Sequence, residues 1–167
     1  IVFFEVRSVL MPIRTYADTS VYGGLHDPAF SDASHTFFDQ VRAGRFDLVT
    51  SAVVAEELAE APDAVRDDFE ATLPHTEIVE VTAEILDLQV AYLDAGILTP
   101  QWEDDALHMA LATVGNCELV VSWNFTHIVH FQKIPQYNAV NQLHGYDTLA
   151  IHSPPEVISD DDNEEGI

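Results

Sequence analysis

Glu103-Asp104-Asp105 opens a stretch that runs on as Ala106-Leu107-His108-Met109-Ala110-Leu111-Ala112-Thr113. Carboxylate oxygens in a row suit a hard cation such as Mg²⁺ or Mn²⁺. They also suit the positive end of a helix dipole, so the same acids serve equally as a helix start. Leu107, Ala110, Leu111 and Val114 recur at helical spacing, which predicts a helix with one packed face and an acidic first turn. Glu118-Leu119-Val120-Val121-Ser122-Trp123-Asn124 then reads as a short buried strand that ends in polar residues. Two more acidic positions fall at comparable junctions. Asp18 closes Ile13-Arg14-Thr15-Tyr16-Ala17, which reads as a buried strand, and Glu56 and Glu57 follow Ser51-Ala52-Val53-Val54-Ala55. An acid at the carboxyl end of a strand faces the crevice where open α/β sheets bind ligands. The plainer readings are that Asp18 caps a turn or helix and that glutamates on a short helix are solvated.

The elements that would position these acids alternate along the chain. Strands are predicted at Ile13–Asp18, Phe46–Thr50, Glu77–Val81, Leu119–Val121 and Thr148–Ile151. Between them lie a short helix around Phe37, Phe38 and Val41 that stops at Gly44, with Ser31 or Asp32 as its cap, and a helix capped by Ser51 with Val54 and Leu58 inward. A polar helix over Ala64–Leu73 lies between Pro62 and Pro74. A long helix begins at the Thr82 cap, carries Ile85, Leu86, Val90 and Leu93 as apolar positions, and ends at Gly96. A last helix spans His127 to Tyr146, interrupted by Pro135. Alternation of this kind argues for a mostly parallel sheet covered on both faces, a three-layer α/β/α sandwich. Parallel strands would bring Asp18, Glu56 or Glu57, Asp104 or Asp105, and Ser122–Asn124 to one sheet edge.

Totals bound the function. The 167 residues fit one domain, and 47% apolar composition supplies a sizeable core. Residues 1–10 read as an N-terminal extension ahead of Met11-Pro12, residues 11–158 as the domain, and residues 159–167 as an acidic disordered tail. One cysteine, Cys117, excludes an internal disulfide framework and suits a reducing cytoplasm. No apolar run approaches the roughly 18 residues of a membrane span. The net charge of −23, with 29 acids against six Lys and Arg, opposes nonspecific nucleic-acid binding but not a nuclease whose site is built from acids. Such a surface suits a high-salt interior, where self-repulsion is screened.

The order and spacing of four pieces resemble the PIN-domain family, and within it the VapC-like toxin branch. The pieces are Ala17-Asp18-Thr19-Ser20-Val21, Ser51 to Leu58, Asp105-Ala106-Leu107-His108-Met109-Ala110, and Leu119-Val120-Val121-Ser122-Trp123-Asn124-Phe125-Thr126-His127-Ile128. The resemblance runs from about Met11 to Ile158. It implies a small metal-dependent ribonuclease whose acids hold Mg²⁺ or Mn²⁺ and activate a water against an RNA phosphate. Carried over by position, the acids are Asp18, Glu57 and Asp105, with the fourth place at Asn124, where many members have Asp. Asp104 stands beside Asp105 as a substitute ligand, and Thr19, Ser20 and Ser122 as auxiliary ones. The resemblance further implies a homodimer and a small antitoxin whose basic residue reaches the acids. The departure at Asn124 leaves a second reading, a PIN fold that has lost catalysis and acts as a binding or assembly module. Trp102 and Trp123 would then belong to a partner face, or simply to the core.

Other chemistries fit less well. Among the eight histidines, His127 and His130 are spaced to share a helix face, but a zinc site needs more ligands and no cysteine pair supplies them. His108, inside an apolar helix, reads as a packed residue, and His127 as one facing the crevice. A phosphoacceptor receiver would want a lysine at a late strand end, and the only lysine, Lys133, falls in the predicted last helix. No Gly-x4-Gly-Lys run exists, and Gly23-Gly24 reads as a turn.

Overall fold

A computed structural model describes residues 11–159. Among them, five strands form one all-parallel sheet in the order β3-β2-β1-β4-β5. The strands are β1 (Ile13–Ala17), β2 (Phe46–Ser51), β3 (Thr76–Val79), β4 (Leu119–Val121) and β5 (Ala150–His152). The helices are α1 (Thr19–Gly24), α2 (Ser31–Arg42), α3 (Ala52–Leu58), α4 (Asp63–Thr72), α5 (Ala83–Asp94), α6 (Glu103–Val114), α7 (Ile134–Leu143) and α8 (Pro154–Val157). Helices α1, α2, α4 and α8 contact one another as one layer, and α5, α6 and α7 as the other. The result is the expected α/β/α sandwich. The extension at residues 1–10 and the acidic run 160–167 lie outside the described residues. Ser159 exchanges two hydrogen bonds with the Gln40 side chain, each 3.1 Å. No described helix is long and apolar enough to cross a membrane.

The central strands are buried on both faces, as parallel strands must be. Tyr16, Ala17, Leu48, Val49, Val120 and Val121 are fully enclosed, with Phe37, Tyr22, Ile85, Met109 and Leu111 packed from the two sides. Cys117, just before β4, is buried as well. The predicted caps on two helices are in place. Ser51 Oγ accepts the Val54 N–H at 3.4 Å, and Thr82 Oγ1 accepts the Ile85 N–H at 3.3 Å. Gly96 ends α5 with φ of 76°, a left-handed conformation that glycine adopts without penalty.

Several local expectations are corrected. Neither Ser31 nor Asp32 caps α2; the cap position is Phe30, without a side-chain hydrogen bond. In α5 the inward face is Ile85, Leu88 and Tyr92, while Leu86 and Val90 are 45% and 51% exposed. The helix is apolar nearly all round, so packing against α6 selects the face and periodicity alone does not. The last helix begins only at Ile134, with Pro135 in its first turn, where proline's missing N–H costs nothing. Residues 125–128 form turns, so His127 and His130 share no helix. Gly24 lies in α1 rather than in a turn. A Cβ there would stand 2.7 Å from both Ser34 Oγ and Trp123 Nε1, so the close approach of Trp123 requires glycine.

Candidate active site

The sheet order reverses between β1 and β4, because the chain crosses from β3 at one edge to β4 on the far side of β1. At such a reversal the two flanking connections leave in opposite directions and open a crevice at the strands' carboxyl ends. Asp18 follows β1 there, and Ser122-Trp123-Asn124 follows β4. Asp18 is 4% exposed. Ser20 Oγ donates to its Oδ1 at 2.5 Å and Ser122 Oγ to its Oδ2 at 2.8 Å. Each hydroxyl also accepts a backbone N–H, Ser20 from Trp123 and Ser122 from Asn124, both at 2.9 Å. The hydroxyl protons are thereby committed to the carboxylate. Burial pushes the Asp18 carboxyl above its ordinary value, opposed by the charge of His108 and by the two hydroxyls. The cap position it occupies on α1 carries no side-chain cap bond, so the capping role considered for it is absent.

Helix α6 runs antiparallel to the strand that follows it, which sets its acidic first turn at the same sheet edge. Asp105 turns partly inward, and Asp104 is exposed. One turn on, His108 is 2% exposed. Its Nδ1 pairs with the Tyr16 hydroxyl at 2.7 Å and its Nε2 with Glu57 Oε1 at 2.5 Å. Tyr16 in turn meets Ser51 Oγ at 2.8 Å. Burial alone would lower the His108 pKa, but the hydrogen bond to Glu57 and the charges of Asp18, Glu57 and Asp105 carry it above the ordinary value. Glu57 thus contacts the buried imidazole directly, and Asp18 and Asp105 act on it through their charge. Of the glutamate pair, Glu57 makes this contact and Glu56 points to solvent.

A second imidazole serves Asp105. His127 Nδ1 lies 2.8 Å from Asp105 Oδ2, and its ring stacks on Trp102 with centroids 4.3 Å apart. Asn124 Oδ1 accepts the His127 N–H at 2.9 Å, closing the turn that presents that histidine. Glu57, Gln101, Trp102, Asp104, Asp105, Asn124, Thr126 and His127 line an open crevice of about 570 Å³. The five site residues read from the sequence thus converge on one edge: Asp18 buried beneath, and Glu57, Asp104, Asp105 and Asn124 in the crevice wall. His130 and His144 take no part in it.

The donor set suits a hard cation, being carboxylates backed by imidazole and hydroxyl partners, the usual outer shell of such ligands. Glu57 engages an imidazole through Oε1 and Asp105 through Oδ2, and among the described residues neither Glu57 Oε2 nor Asp105 Oδ1 accepts a hydrogen bond. Among the described residues, however, no three His, Cys, Asp or Glu side chains converge as a ready-made metal cluster.

Sequence reasoning missed Tyr16 as a site residue. The signal was a phenol in the middle of a strand that reads as buried, since a buried tyrosine hydroxyl ordinarily finds a partner.

The same architecture occurs in solved structures. VapBC2 from Rickettsia felis, whose crystal structure holds it bound to a DNA fragment from their promoter, matches with a TM-score of 0.57 at 15% identity, over 84% of this chain and 98% of that chain. The fold is PIN-like. At this identity the likeness is one of fold. No protein-family model and no curated protein sequence matches the chain.

Proposed function

We propose that the protein is a metal-dependent endoribonuclease, a hydrolase of the kind found as the toxin of a type II toxin–antitoxin pair. The observation that carries this reading is the delivery of Glu57 and Asp105 to one open crevice at the switch point of a PIN-like sheet, where Asp18 stands buried at the end of β1. Asp18, Glu57 and Asp105 would hold Mg²⁺ or Mn²⁺, with Asp104 and Asn124 beside them. A bound cation supplies a water of lowered pKa and offsets charge on the phosphate. The chain's own part is orientation. Ser20 and Ser122 fix both oxygens of Asp18, while His108 and His127 each hold one oxygen of an acid. No protein nucleophile is required. The same reading gives the chain a homodimeric assembly, a cytoplasmic location and a small antitoxin partner that covers the acids with a basic residue.

One observation favours the second reading, a PIN-like module that no longer cleaves. Asn124 Oδ1 is occupied as a turn acceptor, which leaves the fourth ligand place weaker than an aspartate would make it.

Calorimetry with Mn²⁺ and Mg²⁺ on the native chain and on Asp105→Asn, beside cleavage of a mixed RNA pool, separates the two. Saturable binding and cleavage, both lost in the variant, are expected. An absence of binding at millimolar metal would overturn the nuclease reading in favour of the binding module.

A further inference from the structure

We propose that Trp102, backed by His127, is a stacking platform for an unpaired nucleotide base. The inference rests on the nuclease reading for its substrate and on separate geometry for its site. Trp102 ends the short 3-10 turn Pro100–Trp102 directly before α6 and is 42% exposed while lining the crevice. One part of its indole lies against the His127 ring, tilted by 37°. His127 is itself held twice, by Asn124 at its backbone N–H and by Asp105 at its ring. The platform is therefore a fixed surface, and Asp105 is one hydrogen bond away from it. A base seated on Trp102 has its position set relative to the acids by the same side chain that orients one of them.

Charge makes such a platform necessary. Among the described residues, no Lys or Arg lines the crevice. Among the described residues, Arg14 is paired with Glu77, Arg42 with Asp39 and Arg66 with Asp63. Lys133 Nζ donates to the Ile97 carbonyl at 2.8 Å. Arg45 donates to Gln40 Oε1 at 2.6 Å, beside the Phe46 ring. Phosphate capture by basic side chains, the usual source of RNA affinity, is absent from this face. A base offers an uncharged π surface whose stacking does not depend on that attraction. In a duplex both faces of each base are already covered, so the platform selects single-stranded RNA. A crevice of about 570 Å³ lies within the size range of small-ligand sites.

The test uses two probes on the full chain. The first is adenosine, which carries no phosphate and needs no metal, followed by ligand-observed NMR. The second is a single-stranded RNA octamer, with KM and kcat measured separately. Saturable adenosine binding is expected in the native chain, to be lost in Trp102→Ala and partly kept in Trp102→Phe. KM for the octamer should rise about 5- to about 100-fold in Trp102→Ala, the range that one stacked base contributes, with kcat little changed. Cleavage with an unchanged KM in Trp102→Ala would overturn the platform and leave the nuclease reading standing. If no RNA is cleaved, the nuclease reading fails and adenosine alone decides. Binding lost in Trp102→Ala then supports the platform. No adenosine binding in the native chain overturns it and assigns the exposed indole to a protein contact.

Discussion

His127 and His108 hold an acid each, but they stand in different surroundings and their loss should be felt differently. His127 is partly exposed and supports Asp105 from the crevice wall. His127→Ala should weaken Mn²⁺ binding by about 10- to 100-fold, the usual effect of deleting an outer-shell partner, with the melting temperature little changed; calorimetry and thermal unfolding read the two quantities. His108 is buried beside Glu57 and within the charge of Asp18 and Asp105, and its folded pKa is raised. The folded state therefore holds a proton that the unfolded chain releases above its ordinary value of 6.5. The associated stability is fully present below that value and is lost as pH rises through the folded pKa. Melting temperature should fall as pH rises above the ordinary imidazole value, and more steeply for the native chain than for His108→Gln. Junction positions narrowed the candidate acids to Asp18, Glu56 or Glu57, and Asp104 or Asp105, and only the family resemblance chose Glu57 and Asp105 among them. The link from Tyr16 to His108 was not legible, because it joins residues 92 apart in sequence, and no local pattern encodes a contact of that span.

Two helix caps give a comparison between elements. Ser51 begins α3, which carries Glu57, and Thr82 begins α5, which carries no site residue. Replacing either with alanine should cost about 1 kcal/mol in urea unfolding, the typical value of a lost cap. Only Ser51→Ala should also slow RNA cleavage, since Ser51 Oγ touches Tyr16 and, through it, His108. Equal effects of the two variants on cleavage would dissociate the cap from the site. The order of strands and helices could be read from the chain because buried parallel strands and capped helices leave short-range signatures. The inner face of α5 could not, since Leu86 and Val90 are as apolar as the residues that pack. The turns at 125–128 were also hidden. Asn124 closes them through its own backbone and side chain, a local bond that competes with helix and has no period.

Across the whole molecule, a net charge of −23 is borne by one sandwich, and the acids of the crevice add to a field that already repels anions. Added salt should relieve it. Melting temperature should climb between about 0.1 M and about 1 M KCl, as the screening length shrinks from about 10 Å to about 3 Å. The KM for single-stranded RNA should change by no more than a few-fold between about 50 mM and about 200 mM salt, where proteins with several phosphate contacts lose ~10³-fold or more. A steep rise in KM would mean that basic residues carry the binding after all. The sole cysteine adds a property of its own. Cys117 is 7% exposed, and burial pushes its thiol up to about 12. At neutral pH it is held as the thiol and largely covered, so alkylation is slow until the surrounding structure opens. Each molecule thus contains a one-use clock. With an alkylating reagent in sufficient excess to trap each opening, the time at which it acquires a single adduct marks its first opening, and counting adducts by mass across a population gives the opening rate with no label engineered into the chain.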